Sequence, residues 1–224
     1  MHQINISVEN KMAIPPEAFE SIIQELQRRP LCTNKYRLTS GMGKSQTFGV
    51  VNRRSMPPDF SRLCWMRPLL YKLILDFAAK YVTVQYTSIT INQNYKAKAH
   101  RDKGNRGDSF LVAFGNYTGG NLNILEGDMK GTYDVRTPLI TDFSKVLHEV
   151  QEFAGDRYSL VFYTLEPRNY STVEFLPTPS VVQVGAKYFF KRGDVMIKDG
   201  LPHPLKGRTL GITKTNEPVS IDFN

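Results

Sequence analysis

Two histidines and an aspartate in this chain have a spacing that could form a metal site. His100 is followed two residues later by Asp102. In an extended segment, residues i and i+2 point to the same side of the strand, so this imidazole and this carboxylate would converge on one point. A second histidine from a distant strand would complete a facial set of two histidines and one carboxylate. That set is typical of non-haem Fe(II) centres that activate O2.

His148 is the histidine that fits the third position. It lies 46 residues after Asp102, with predicted strands between them, and it precedes the apolar strand RYSLVFY. Of the other two histidines, His2 stands at the start of the chain, and His203 lies in a Leu-Pro-His-Pro sequence that predicts a loop. An isolated His-x-Asp is common, and His148 alone could be a surface histidine. The order of these residues along the chain favours the metal site.

Arg157 and Ser159 alternate on the strand that follows His148, so both side chains are expected to face the same way. An arginine that enters an apolar interior requires an anion, because a buried and unpaired guanidinium is costly. A carboxylate is its best match, since it can accept two parallel hydrogen bonds. A structural acid such as Asp156 or Glu152 is the alternative to a bound anion.

Two helices are predicted ahead of these residues. Residues 15–29 place Phe19, Ile22, Ile23 and Leu26 on one face, begin at Pro15-Pro16 and stop before Pro30. A second helix is expected over residues 67–80. Its predicted buried residues are Leu69, Leu70, Leu73, Ile74 and Phe77.

Short strands are predicted to follow the helices. Residues 81–165 contain short β-branched and aromatic segments separated by Gly and Asn turns, which favours a sandwich or barrel braced by the helices. Residues 38–60 are rich in Gly, Ser, Pro and Arg and predict loops and short strands. Residues 171–224 predict irregular strands and loops.

The composition is that of an ordinary globular protein: 224 residues, 41% hydrophobic and 22% charged. This length suits one domain with a real core. No apolar run reaches membrane length, and the first residues do not form a secretion signal, so we expect a soluble, intracellular protein without a membrane partner. Cys32 and Cys64 are expected to be free, buried thiols, although they could pair.

The net charge of +8 is concentrated in one segment. Residues 28–72 contain ten Lys and Arg and one acid, Asp59, so the rest of the chain is close to neutral. A concentrated basic stretch favours a polyanionic partner, nucleic acid first. A solvated basic surface without a partner is the alternative.

His100-x-Asp102, His148 and Arg157-x-Ser159 together resemble the double-stranded β-helix (jelly-roll) oxygenases that depend on Fe(II) and 2-oxoglutarate. The resemblance covers about residues 86–165. It implies an α+β fold in which a jelly-roll core over 81–170 is supported by residues 1–80 and followed by a C-terminal extension over 171–224. It also implies that the triad binds Fe(II), that Arg157 and Ser159 bind the distal carboxylate of 2-oxoglutarate, and that O2 is consumed.

A narrower similarity is to the TET/JBP branch, whose members oxidise the 5-methyl group of pyrimidine bases in nucleic acid. It rests on the segments Ile91–Tyr95, His100–Asn105 and Gly115–Gly120. The resemblance implies that Asn105, three positions after Asp102, contacts the base, and that the substrate is 5-methylcytosine or thymine in DNA. The alternatives are a peptide oxygenase of the prolyl-hydroxylase kind, a small-molecule oxygenase, and a jelly-roll binding protein without turnover. The sequence leaves the oligomeric state open.

Overall fold

The computed structural model describes residues 13–32, 41–53, 56–166, 179–192 and 195–197. The described chain begins with a 3-10 turn, Pro16–Phe19. The helices are α1 (Glu20–Arg28), α2 (Leu63–Met66) and α3 (Pro68–Tyr81). The strands are β1 (Gly41–Arg53), β2 (Met56–Phe60), β3 (Ser88–Ala97), β4 (Asn105–Phe114), β5 (Tyr117–Gly119), β6 (Leu122–Ile124), β7 (Gly131–Tyr133), β8 (Leu139–Thr141), β9 (His148–Val150), β10 (Phe153–Gly155), β11 (Tyr158–Leu165), β12 (Pro179–Val184), β13 (Lys187–Arg192) and β14 (Val195–Ile197). No helix in these described ranges is both long and apolar enough to cross a membrane.

Both predicted helices are present, and their apolar stripes face the interior. Ile22 and Leu26 of α1 are buried, as predicted, and Pro68 starts α3 because its fixed φ suits the first helical turn. The predicted burial of α3 is wrong in detail: Leu69 and Leu73 are only partly buried, whereas Tyr71 and Ala78 are fully buried. The helix is therefore rotated toward Tyr71.

The largest sheet has six strands in the order β2-β1-β3-β11-β4-β8, and every pairing in it is antiparallel. Of the loops and short strands predicted over residues 38–60, the short strand β2 is present, but residues 41–53 form a single long strand that pairs with β3 and β2. The glycine-rich composition that suggested loops instead marks close approaches of the backbone. At Gly49 (φ 75°), for example, a Cβ would lie 2.3 Å from the Thr87 carbonyl oxygen.

Two cores lie on opposite faces of this sheet. One packs the helices against residues such as Phe48, Ile91 and Phe162. The other packs Leu111 of β4 against the small sheet β7-β6-β9, which contributes Leu122 and other apolar residues. Two facing antiparallel sheets braced by helices on one side form a jelly roll, so the predicted α+β fold class is confirmed.

The C-terminal hairpin of β12 and β13 packs on the helices rather than on the second core. Phe190 is fully buried and contacts the rings of Phe60, Trp65 and Tyr71. Most of the predicted extension over 171–224, including His203, lies outside the described residues, as does His2. Both cysteines are free; Cys64 is buried as expected, but Cys32 is exposed.

Candidate metal centre and anion pocket

His100 and His148 face each other across an isolated antiparallel bridge. Each backbone N–H donates to the carbonyl of the other residue, at 2.9 and 3.0 Å. The two imidazole rings are 4.5 Å apart between centroids. The 47 residues between them in sequence therefore form a loop of strands that returns to the same point.

Hydrogen bonds to the backbone also determine the tautomer of both imidazole rings. Nδ1 of His100 lies 2.6 Å from the Lys98 carbonyl oxygen, and Nδ1 of His148 lies 3.0 Å from that of Val146. A carbonyl only accepts, so each Nδ1 carries a proton, and in the neutral ring Nε2 then carries the lone pair that a metal requires. Burial lowers the pKa of His148, which favours the neutral ring.

Asp102 completes the cluster. Its Oδ1 lies 3.3 Å from Nε2 of His100, and one ligand atom from each of Asp102, His100 and His148 falls within 4.8 Å of the others. Its Oδ2 accepts a hydrogen bond from the Asn105 amide at 3.2 Å. The arrangement offers two imidazole nitrogens and one carboxylate oxygen to a single ion.

Glu126, which the sequence did not single out, braces the two segments that carry these residues. It lies just after β6 and accepts from Arg101 Nε at 2.8 Å and from the Leu147 backbone N–H at 2.9 Å. Arg101 stands between His100 and Asp102, and Leu147 precedes His148. One carboxylate thus ties both sides of the cluster together, and no spacing rule would have found it.

The cluster opens into a cavity of about 640 Å³ between the two sheets. Arg157 and Ser159 line the same cavity, as predicted from their alternation. Asn105 also lines it, so the structure brings together all six residues that the sequence had selected. The alternate residues Leu160 and Phe162 point to the helical core instead.

Arg157 is buried, with 2% of its surface exposed, and forms no ion pair with a described acid. The two acids that were predicted as alternative counter-ions, Asp156 and Glu152, do not pair with it. Glu152 binds Lys96, and Asp156 accepts from Asn94. Burial lowers the pKa of Arg157, although its guanidinium remains charged at any physiological pH.

The surroundings of Arg157 fit its side chain closely. Its Nε donates to the Gly120 carbonyl at 3.1 Å, and its guanidinium lies 5.5 Å from the centre of the Tyr117 ring. The Tyr117 hydroxyl is buried and lies close to the Arg157 guanidinium. A cation and a hydroxyl are therefore both available in one buried place.

A row of polar side chains crosses the sheet floor of the cavity. Asn92 donates to the Ser159 hydroxyl at 3.1 Å, and the Thr47 and Thr90 hydroxyls are 3.1 Å apart. Sequence reasoning missed Asn92 as a site residue. Its alternation with buried Ile91 on a strand of the same sheet was the signal that could have found it.

Four cations of the basic stretch are paired with acids where the structure describes it. The acids are Glu25 just before the stretch, Asp59 within it and Asp76 just after it. The pairs are Arg28–Glu25 (2.8 Å), Arg67–Glu25 (3.7 Å), Arg53–Asp59 (2.8 Å) and Lys72–Asp76 (2.6 Å).

The cations near the candidate metal residues are of two kinds. Arg101 and Arg106 face Glu126 and Glu166. Lys103 lines the cavity, and neither it nor Lys98 has an ion pair with another described residue. Positive charge is therefore available at the cavity rim.

No protein-family model matches the chain, and no curated protein matches it either. Solved structures show similarity in fold. A structure of NgTET1 in complex with 5mC DNA is 15% identical, with a TM-score of 0.48, and the match covers 68% of this chain and 69% of that one. A Pseudomonas putida prolyl-4-hydroxylase is 16% identical, with a TM-score of 0.43, over 70% of this chain and 90% of that one. An oxidoreductase of the 2OG-Fe(II) oxygenase family from Burkholderia pseudomallei is 18% identical, with a TM-score of 0.40, over 63% and 74%.

Proposed function

We propose that the chain is an Fe(II)- and 2-oxoglutarate-dependent dioxygenase that hydroxylates a C–H bond. The observation that carries the proposal is the shared cavity. Two histidines with oriented Nε2 atoms and one carboxylate line the same space as a buried arginine that no described acid pairs with.

The donor set fits Fe(II). Two neutral imidazoles and one monodentate carboxylate on one side of an ion leave the opposite positions open, which is the arrangement of non-haem Fe(II) oxygenases. His100, Asp102 and His148 would hold the ion, and the backbone carbonyls behind both rings keep the nitrogens aimed at it. When bound, iron with O2 and 2-oxoglutarate supplies C–H hydroxylation, with succinate and CO2 as co-products.

The buried groups around Arg157 fit the distal carboxylate of 2-oxoglutarate. A carboxylate is acceptor-only, and it would satisfy the guanidinium and the Ser159 hydroxyl together. The buried Tyr117 hydroxyl beside the guanidinium could donate to the same carboxylate. The low polarity of the surrounding strand strengthens the electrostatic attraction between the guanidinium and the carboxylate.

We propose as the substrate the 5-methyl group of a pyrimidine base in DNA, either 5-methylcytosine or thymine. Asn105 lines the cavity beside Asp102, and its amide nitrogen already donates to that carboxylate. The amide carbonyl oxygen then remains to accept a hydrogen bond from a base edge. Such a base must be flipped out of the duplex, with phosphates held by cations at the rim such as Lys103.

The test is incubation of the protein with Fe(II), 2-oxoglutarate and methylated DNA under air, followed by mass spectrometry of the digested bases. We expect succinate and an oxidised methylpyrimidine, both abolished in His100→Ala. Succinate release that is stimulated by peptides but not by DNA would support the alternative peptide oxygenase. Absence of both metal binding and 2-oxoglutarate binding would refute the oxygenase itself.

A further inference from the structure

Asn94 is the one non-glycine residue with a positive φ (50°) in the described chain. It lies within β3, opposite a bulge where the register of β1 shifts between Met42 and Lys44. Left-handed backbone costs about 1–2 kcal/mol for an ordinary residue, less for asparagine, and it persists only where the surroundings require it. Glycine is the usual residue at a positive φ, so the presence of an asparagine side chain at position 94 needs an explanation.

The explanation lies in its contacts with Arg157. The Asn94 backbone N–H donates to the Arg157 carbonyl at 2.7 Å, and the Arg157 backbone N–H donates to Asn94 Oδ1 at 2.8 Å. Its Nδ2 donates to Asp156 Oδ1 at 3.3 Å, which fixes the orientation of the amide. The backbone of Arg157 is thus held on both its N–H and its carbonyl by a single residue.

The opposite strand holds Asn94 in turn. A Cβ at Gly43 (φ 119°) would lie 2.1 Å from the Asn94 carbonyl oxygen, so β1 approaches Asn94 as closely as a backbone can. The strained residue is therefore enclosed between Gly43 on one side and Arg157 on the other. Because Asn94 is held in this strained conformation from both sides, the direction in which the chain enters β11 is fixed.

We propose that Asn94 is a positioning residue for Arg157, which orients the guanidinium for the carboxylate of 2-oxoglutarate before that carboxylate arrives. This inference rests on the proposed function. A buried arginine without a described counter-ion gains most from a rigid backbone, because each degree of freedom fixed beforehand need not be lost on binding. Arg157 makes the contact, and Asn94 acts only through it.

The experiment measures 2-oxoglutarate binding to the Mn(II)-loaded protein without O2, alongside Mn(II) affinity and thermal unfolding. Asn94→Gly keeps the left-handed backbone and removes the amide. We expect its dissociation constant for 2-oxoglutarate to rise about tenfold, with Mn(II) affinity nearly unchanged and the unfolding temperature lowered by only a few degrees. An unaltered 2-oxoglutarate affinity in Asn94→Gly would overturn the inference, as would an equal loss of Mn(II) affinity.

A double variant, Asn94→Asp with Asp156→Asn, supplies the rescue. It exchanges the amide and the carboxylate, so an oxygen can again accept from the Arg157 N–H. We expect it to recover 2-oxoglutarate affinity to within about threefold of the original protein, and a double variant no better than Asn94→Gly contradicts the mechanism. The variant Arg157→Gln distinguishes a failure of the proposed anion site from a failure of the proposed positioning role. If Arg157→Gln binds 2-oxoglutarate normally, the proposed anion site is wrong; if only Asn94→Gly binds normally, the positioning role alone fails.

Discussion

Replacement of Gly120 by alanine should disable the anion pocket without touching the candidate metal residues. A Cβ at Gly120 would lie 2.8 Å from both Cδ and Nε of Arg157, a distance that real Cβ contacts do not show. Arg157 would have to move and would lose its hydrogen bond to the Gly120 carbonyl. Hydrogen bonds to charged groups contribute about 1.5–3 kcal/mol, so we expect 2-oxoglutarate to bind about ten- to a hundredfold more weakly.

The backbone strain of this substitution needs its own control. Gly120 has φ 68°, and an alanine there costs about 1–2 kcal/mol, which corresponds to about 2–4 °C in unfolding temperature for each kcal/mol. Gly185, in the β12–β13 turn, has φ 59° and nothing within 4 Å of its would-be Cβ. Gly185→Ala should therefore show the strain without the clash.

The assay is calorimetric titration of the Mn(II)-loaded protein with 2-oxoglutarate, together with thermal unfolding. Both variants should lose similar stability, and Gly120→Ala alone should lose affinity for 2-oxoglutarate. The reasoning is refuted if Gly120→Ala binds 2-oxoglutarate as tightly as Gly185→Ala does. Equal loss in both variants would also refute it, because strain alone would then explain the effect.

Three other substitutions, with Lys72→Gln as a control for the third, probe the metal site, the contact with the base and the charge at the cavity rim. Glu126→Gln should weaken Mn(II) binding about tenfold, since it removes the carboxylate behind both ligand segments; unchanged metal titrations would contradict the brace. Asn105→Ala should raise KM for methylated DNA while leaving 2-oxoglutarate binding intact, and an unaltered KM would rule out base contact. Lys103→Gln should reduce the salt dependence of DNA binding by about one charge, whereas Lys72→Gln, already paired with Asp76, should not; equal slopes in a salt titration would dismiss the rim as the phosphate contact.

Local rules were enough to predict α1 and α3, the presence of short strands over residues 81–165, and the residues that meet in the cavity. The apolar stripe of α1 and the alternation of β11 are periodic patterns, and each follows from the geometry of its own element. The same alternation placed Arg157 and Ser159 on one face. The burial of Tyr71 was not predictable, because the rotation of α3 is set by what it packs against.

The strand over residues 41–53 escaped prediction for a related reason. Its glycines and polar residues suggest loops when taken alone, but β3 pairs with it from Gly41 to Gly49 and β2 pairs with its remainder. Pairing with a neighbour overrides weak intrinsic preference in strands. Composition could not reveal that neighbour.

The basic segment shows what counting charges in a sequence can and cannot predict. The sequence gives the number of cations correctly, and it suggested a broad polyanion-binding surface. The fold places acids such as Glu25 and Asp59 against several of these cations, so part of their charge is already matched within the protein. Only proximity in three dimensions distinguishes a paired cation from one that is available at the cavity rim.

By itself, the sequence determined which side chains could form a site: the His-x-Asp pair, His148, and the arginine and serine on one face of a strand. These follow from residue type and from the two-residue period of a strand. The tertiary structure alone decided their partners. Backbone carbonyls orient both imidazoles, and the Asn105 amide donates a hydrogen bond to Asp102. Arg157 is buried and forms no ion pair with a described acid. Those contacts join residues far apart in the chain, and only packing of the two sheets brings them within hydrogen-bonding distance.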